Sequence, residues 1–249
     1  MGHVEFVGPP GVGKSTIHSR LVTDDSYFGG TAEDATRRLF LGEANIWHRL
    51  PYRVMPRPLR SFVKREFIKP RLRHRAFASF VAGHPNFTRL LSVIAETGLD
   101  ERETLISMCA YTAACYQLGL TAVHSGERLC VDEGFAQRLS SILWRTGDAT
   151  FPVDRYCEGI PVPDLVIHVT APPELCLDRQ RERGSKDTTL AGERTDGDSQ
   201  TAQEDIHDIC RRVADVFADR TSVVRVENTD SVAATLSTVV SAIERVGAE

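Results

Sequence analysis

Gly8-Pro9-Pro10-Gly11-Val12-Gly13-Lys14-Ser15, followed by Thr16, fits G-x-x-x-x-G-K-[ST] at every fixed position. The glycines let backbone N–H groups curl around a polyphosphate, and Lys14 reaches the β- and γ-phosphates. The Ser15 hydroxyl is placed to ligate Mg²⁺, and the helix that follows turns its positive end to the same phosphates. Gly8, Pro9, Pro10, Gly11, Val12, Gly13, Lys14, Ser15 and Thr16 are therefore the candidate nucleotide-binding set.

The flanks decide whether the pattern is a surface turn or a working loop. His3-Val4-Glu5-Phe6-Val7 alternates and is β-rich, so it predicts a short buried strand. Ile17, Leu21 and Val22 then recur at helical spacing. Strand, glycine-rich loop and helix are the context the chemistry requires. Pro9 and Pro10 stiffen the loop by fixing φ and restricting the residue before them.

Outward from this start, the pattern predicts a helical middle over 33–124, a strand at 128–132, a helix at 134–146 and a strand at 164–169. Helices at 173–183 and 201–218, a strand at 222–226 and a helix at 230–246 complete it. Strands alternating with helices imply α/β architecture: a three-layer P-loop NTPase fold, its parallel sheet covered by helices on both faces. The 249 residues read as a single domain, 1–249, with a partly basic helical insertion at 40–125. Residues 184–200 are polar, glycine-rich and nearly free of apolar groups, which predicts a mobile lid over the nucleotide.

Composition narrows the classes. The first strand begins at residue 3, leaving no room for a signal or transit peptide, so a cytoplasmic protein is expected. Six cysteines show neither C-x-x-C nor metal spacing and read as reduced, mostly buried thiols. Thr104–His124 contains no charged residue and is nearly long enough to span a bilayer, yet its many hydroxyl and amide groups suit a buried core helix. The formal net charge is −4, but Arg49–Arg75 carries ten basic residues against Glu66 alone, a local +9 inside a remainder of −13. With interleaved aromatics, this block reads as a solvated basic helix pair, a site for an anionic ligand, or a contact with an anionic membrane surface or nucleic acid. No sequence-specific nucleic-acid binding is expected, and the oligomeric state is open.

Two further stretches carry chemistry. Arg128-Leu129-Cys130-Val131 is an apolar strand ending in Asp132-Glu133. Asp132 is the candidate Mg²⁺-linked carboxylate, and Glu133 the candidate base for an acceptor hydroxyl or a water. Downstream, Arg179 and Arg183 lie four apart and share a helix face, while Arg181 points away. Arginine at this place supplies fixed donors to a migrating phosphoryl group.

Taken together, Gly8–Thr16, Val131-Asp132-Glu133-Gly134, Pro163–Val169 and Pro172-Pro173-Glu174 through Arg183-Gly184 resemble the P-loop nucleoside and nucleotide kinases. The pattern is most similar to thymidylate kinases and deoxynucleoside kinases, over about half the chain. Val226-Glu227-Asn228-Thr229-Asp230 resembles their adenine-side loop. The resemblance implies a kinase with a nucleoside or nucleotide acceptor. Those families carry Asp-Arg-Tyr or Glu-Arg-Ser after the third strand, whereas Glu133 stands here in place of the arginine. An acid at that position repels an acceptor phosphate. Glu33, Arg37 and Arg38 are further candidates to line the acceptor site.

The sequence thus reads as an ATP- and Mg²⁺-dependent small-molecule phosphotransferase. Lys14, Asp132, Glu133, Arg179 and Arg183 form its catalytic set, and Ser15 and Asp132 its metal set. Competing readings are a kinase of a sugar or lipid-linked acceptor, an ATP-hydrolysing regulatory ATPase, to which Asp132-Glu133 also belongs, and a binding module without chemistry.

Overall fold

The structure is a computed structural model and describes residues 2–30, 34–35, 38–39, 69–96, 101–147, 151–183, 199–229 and 231–247. Five strands form one sheet: β1 (His3–Val7), β2 (Tyr27–Phe28), β3 (Arg128–Val131), β4 (Leu165–Thr170) and β5 (Ser222–Glu227). Their order is β2-β3-β1-β4-β5, and every pair is parallel. This is the P-loop NTPase fold that the loop and its flanks predict. From β1 the chain moves outward to β2, and from β3 it crosses to β4 on the opposite side. The carboxyl ends of β1 and β3 therefore border the switch point where open α/β sheets bind ligands.

Alternation along β1 sends its side chains to two layers. Val4 and Phe6 join Cys130, Leu165, Ile167 and Val169 beneath α1 (Lys14–Leu21) and α9 (Val232–Val246). Val7 joins Leu129, Val131 and Val166 on the other face. That face is covered by α4 (Arg102–Ala122), α5 (Phe135–Thr146) and α8 (Ser199–Ala218). Outside these pack α2 (Lys69–Gly83), α3 (Pro85–Glu96) and the short α6 (Val153–Gly159). Helix α7 (Pro173–Glu182) lies against α8. The insertion is held to the sheet layer by aromatics: fully buried Phe80 of α2 stacks on Phe135 of α5 at 5.9 Å and meets Phe87 of α3 edge-on at 4.9 Å.

Most boundaries fall within a residue or two of expectation. The pattern overlooked β2 and α6, because two and seven residues are too short to show a period. Of the segment expected as a lid, 184–198 lies outside the described residues, and residues 199–200 open α8 instead of belonging to a loop. Residues 40–68 of the insertion, with most of the basic block, also lie outside; Arg71 and Arg75 are exposed on α2. No helix among the described residues is long and apolar enough to cross a membrane. The uncharged run sits in α4, where Cys109, Ala113 and Leu118 are buried. All six cysteines are free thiols; five are buried and Cys115 is half-buried.

Candidate active site

The phosphate loop joins β1 to α1, and its carbonyls are tied down by side chains from three other elements. The Pro10 carbonyl accepts from Gln180 Nε2 and from Gln203 Nε2, each at 3.1 Å. The Val12 carbonyl accepts from Asn228 Nδ2 at 2.7 Å and Arg179 Nη1 at 3.4 Å. In a trans peptide the C=O and the next N–H point opposite ways. Fixing these two carbonyls outward therefore turns the Gly11 and Gly13 amides to the other side, which is the arrangement of an anion-binding nest. Gly13 adopts φ 95°, and a Cβ there would lie 2.4 Å from Asn228 Nδ2, so only glycine fits. The Gly13 carbonyl accepts from the Thr16 and Ile17 amides and starts α1. The amides of Lys14 and Ser15 are thus first-turn donors without helical acceptors.

Lys14 is half-buried, and its Nζ donates to the carbonyls of Gly8 at 2.6 Å and Pro9 at 3.1 Å. Burial lowers its pKa from the ordinary lysine value, while the Asp132 and Glu133 carboxylates pull the other way. The ammonium and both acids therefore share one electrostatic neighbourhood. Thr16 is half-buried one turn in, and Ser15 is exposed on the first turn of α1.

Asp132 directly follows β3, whose Val131 is in register with Glu5 of β1. Its Oδ1 is buried and has no hydrogen-bond partner among the described residues. A buried carboxylate oxygen left unpaired is costly, so the geometry calls for a cation or donor there. Together with the Ser15 hydroxyl it offers oxygen ligands, and Mg²⁺ favours one or two protein oxygens plus phosphates and water. The residues present fit that ion. No larger His, Cys, Asp or Glu cluster of metal-binding type occurs among the described residues.

The turn that presents Asp132 and Glu133 is pinned from below by Glu5. This carboxylate is fully buried in β1, accepts from the Ala136 amide at 2.7 Å and lies 3.0 Å from His3 Nε2. Its negative charge sits at the N-terminus of α5, where the helix dipole favours it. A Cβ on Gly134 would come within 2.3 Å of the Glu5 carboxyl carbon, so the turn closes only with glycine. From the same helix, Gln137 Oε1 accepts the Gly8 amide at 3.1 Å and links the acidic turn to the phosphate loop.

Glu133 itself is exposed. Its charge is felt by Tyr111 and Cys115 of α4. Tyr111 is 46 % exposed and carries the Arg73 guanidinium 5.6 Å from its ring centre. Arg138 Nε donates to Thr112 Oγ1 at 2.9 Å. Three helices thus bring an aromatic ring and two cations into one neighbourhood with Glu133.

The two arginines of α7 separate in role. Arg179 is half-buried, and besides Val12 its Nη2 donates to the Asn228 carbonyl at 3.0 Å. These bonds brace the carbonyl side of the loop. Arg183 is exposed and ends the helix next to residues 184–198, while Arg181 pairs outward with Asp178 at 2.9 Å. Arg38 does not reach the acceptor side. It pairs with Glu127 and lies over the Phe28 ring at 4.0 Å, at the end of β3 remote from Asp132. Glu33 and Arg37 lie outside the described residues.

Sequence reasoning missed Glu5, Gln137, Gln180 and Gln203, and it placed Asn228 in a resembling stretch without a role. Only Glu5 carried a signal, as an acid inside an otherwise apolar buried strand. The glutamines act on backbone groups of the loop, Gln137 on the Gly8 amide and the other two on the Pro10 carbonyl, and no spacing rule marks these.

No protein-family model matches the chain, and no curated protein matches it. Among solved structures it is similar to deoxyadenosine kinase from M. mycoides with bound dCTP, at 12 % identity and a TM-score of 0.49, covering 98 % of this chain and 99 % of that one. The same enzyme with bound dATP aligns at 14 % identity and 0.48, covering 98 % and 100 %. TT1252 from Thermus thermophilus aligns at 16 % identity and 0.43, covering 98 % and 96 %. Likenesses at these levels carry no weight for function. The sheet order and the loop geometry carry the fold.

Proposed function

We propose that this protein is an ATP- and Mg²⁺-dependent small-molecule phosphotransferase, with a nucleoside-like acceptor as the first class to test. One observation carries the reading most: a phosphate loop with both outward carbonyls pinned lies beside an acid whose buried oxygen has no partner among the described residues. In this reading Lys14 and the loop amides bind the β- and γ-phosphates, and Ser15 and Asp132 hold Mg²⁺. When bound, the ion neutralises charge on the phosphates. Glu133 accepts the proton of the acceptor hydroxyl as that oxygen bonds to the γ-phosphorus. The bond between the γ-phosphorus and the bridging oxygen breaks, and ADP leaves with the electron pair. Arg183 supplies positive charge to the migrating group. Catalysis is mainly positioning and charge stabilisation.

Glu133 favours a neutral acceptor end over a monophosphate, while Arg73 and Arg138 favour negative charge elsewhere on the acceptor, as on a sugar or lipid-linked phosphate. A second reading, ATP hydrolysis, rests on the exposed Glu133, which is free of the sheet and able to orient water. A panel of nucleosides, monophosphates, sugars and polyprenols with γ-labelled ATP separates them. Transfer of label to one acceptor supports the kinase. Label found only as free phosphate across the panel rejects it in favour of the ATPase.

A further inference from the structure

Two glutamines that the loop pattern does not call for meet at one carbonyl. Gln180 Nε2 and Gln203 Nε2 both donate to Pro10, and Gln180 Nε2 also donates to Gln203 Oε1 at 3.2 Å. Gln203 is buried, and its amide lies 3.3 Å from His207 Nε2, one turn on. Gln180 sits near the end of α7 and Gln203 near the start of α8. The chain leaves the loop at Gln180, runs through residues 184–198 and returns to the same peptide unit at Gln203.

The position of that unit matters. Pro10 has no N–H, and the Pro10–Gly11 peptide belongs to neither β1 nor α1, so neither ladder sets its orientation. A carbonyl oxygen has two lone pairs, and here each faces one amide. With the oxygen so held, the Gly11 N–H is aimed to the opposite side, where a triphosphate binds.

We infer that Gln180 and Gln203 are positioning residues: a two-sided clamp that presets the phosphate loop for triphosphate and ties it to the helices flanking residues 184–198. The inference rests on the reading of Gly8–Ser15 as a triphosphate site. Because either amide alone still occupies the carbonyl, the two residues back each other up. Losing both costs more than the two single losses combined.

The test replaces each glutamine with methionine, which keeps the volume and removes the donors: Gln180→Met, Gln203→Met and the double variant. Binding of Mg²⁺-tripolyphosphate and of Mg²⁺-ATP is measured by calorimetry, beside thermal unfolding and amide exchange of residues 8–15 without ligand. Each single change weakens both ligands about threefold, and the double change about thirtyfold, in excess of the product of the singles. ATP and tripolyphosphate lose equally, because the clamp acts on the loop and not on the base. The Gly11 amide exchanges faster in the double variant.

If the double variant binds as wild type does, or if the single losses merely multiply, the clamp is overturned while the triphosphate reading stands. If the wild type binds neither ligand, the loop reading falls and the clamp with it. Should the double variant not fold, Gln203→Glu decides. Its carboxyl donates only when protonated, so its affinity relative to wild type recovers as pH falls. A pH-independent ratio overturns the clamp.

Discussion

The two sides of the candidate site are built differently. On the donor side the protein itself ties the loop down: Gln137 holds the Gly8 amide, two glutamines the Pro10 carbonyl, Asn228 and Arg179 the Val12 carbonyl, and two carbonyls hold Lys14. On the acceptor side Glu133 and Tyr111 are exposed, and Arg73 meets Tyr111 only at 5.6 Å. The contrast follows from chemistry. A triphosphate presents the same oxygens to every enzyme, so backbone amides preset by a rigid frame can read it. An acceptor is read by individual side chains, and nothing but the ligand fixes where they belong.

The contrast can be broken or sharpened by substitution. Lys14→Ala removes the loop cation that the proposal sets on the phosphates and should lower turnover of ATP about a thousandfold, measured by steady-state kinetics. Full activity in that variant would remove the loop from the chemistry. Glu133→Gln should lower kcat about a hundredfold while leaving the KM for ATP unchanged, if it acts on the acceptor as proposed. A rise in the ATP KM alone would place Glu133 on the donor side instead. Asn228→Ala unties the Val12 carbonyl and should weaken Mg²⁺-ATP about tenfold in equilibrium binding, with acceptor affinity unaltered. Unchanged nucleotide affinity would show that Arg179 suffices to hold that carbonyl.

A separate effect is on stability, and it separates the frame from the chemistry. His168 of β4 is buried, its Nδ1 has no partner among the described residues, and burial, with Arg225 nearby, lowers its pKa to about 4. The unfolded chain takes up this proton near pH 6.5 and the native one only near 4. Between those values the unfolded state binds more protons, so stability falls as pH falls across the window, by up to about 3 kcal/mol. Denaturant titrations of His168→Gln should lose that part of the slope while ATP binding at pH 7 stays within about twofold of wild type. An unaltered slope would mean that the imidazole is protonated in the native protein.

The sequence foretold the frame more fully than the side chains that tune it. Gly8–Ser15 between strand and helix, the place of Asp132 directly after β3, and the alternating strands were readable because their spacing follows backbone geometry, which periodicity and motif encode. The bonds from Arg179 to the Val12 and Asn228 carbonyls were not legible, because the helix face predicts direction but not which of two neighbours is met. Gln180 and Gln203 were invisible, since a glutamine that bonds a carbonyl from a distant helix has no local signature. Nothing in the sequence around Gly134 marks the Glu5 carboxylate that lies beneath it.

The central claim is that the γ-phosphoryl group goes to a molecule other than water. It is tested most directly by following ADP and free phosphate together while the wild-type protein consumes Mg²⁺-ATP with each acceptor class. The account predicts that one acceptor raises the ADP yield well above free phosphate, and that Glu133→Gln abolishes the excess. Equal yields of ADP and free phosphate with every acceptor, at a rate no acceptor changes, would contradict it.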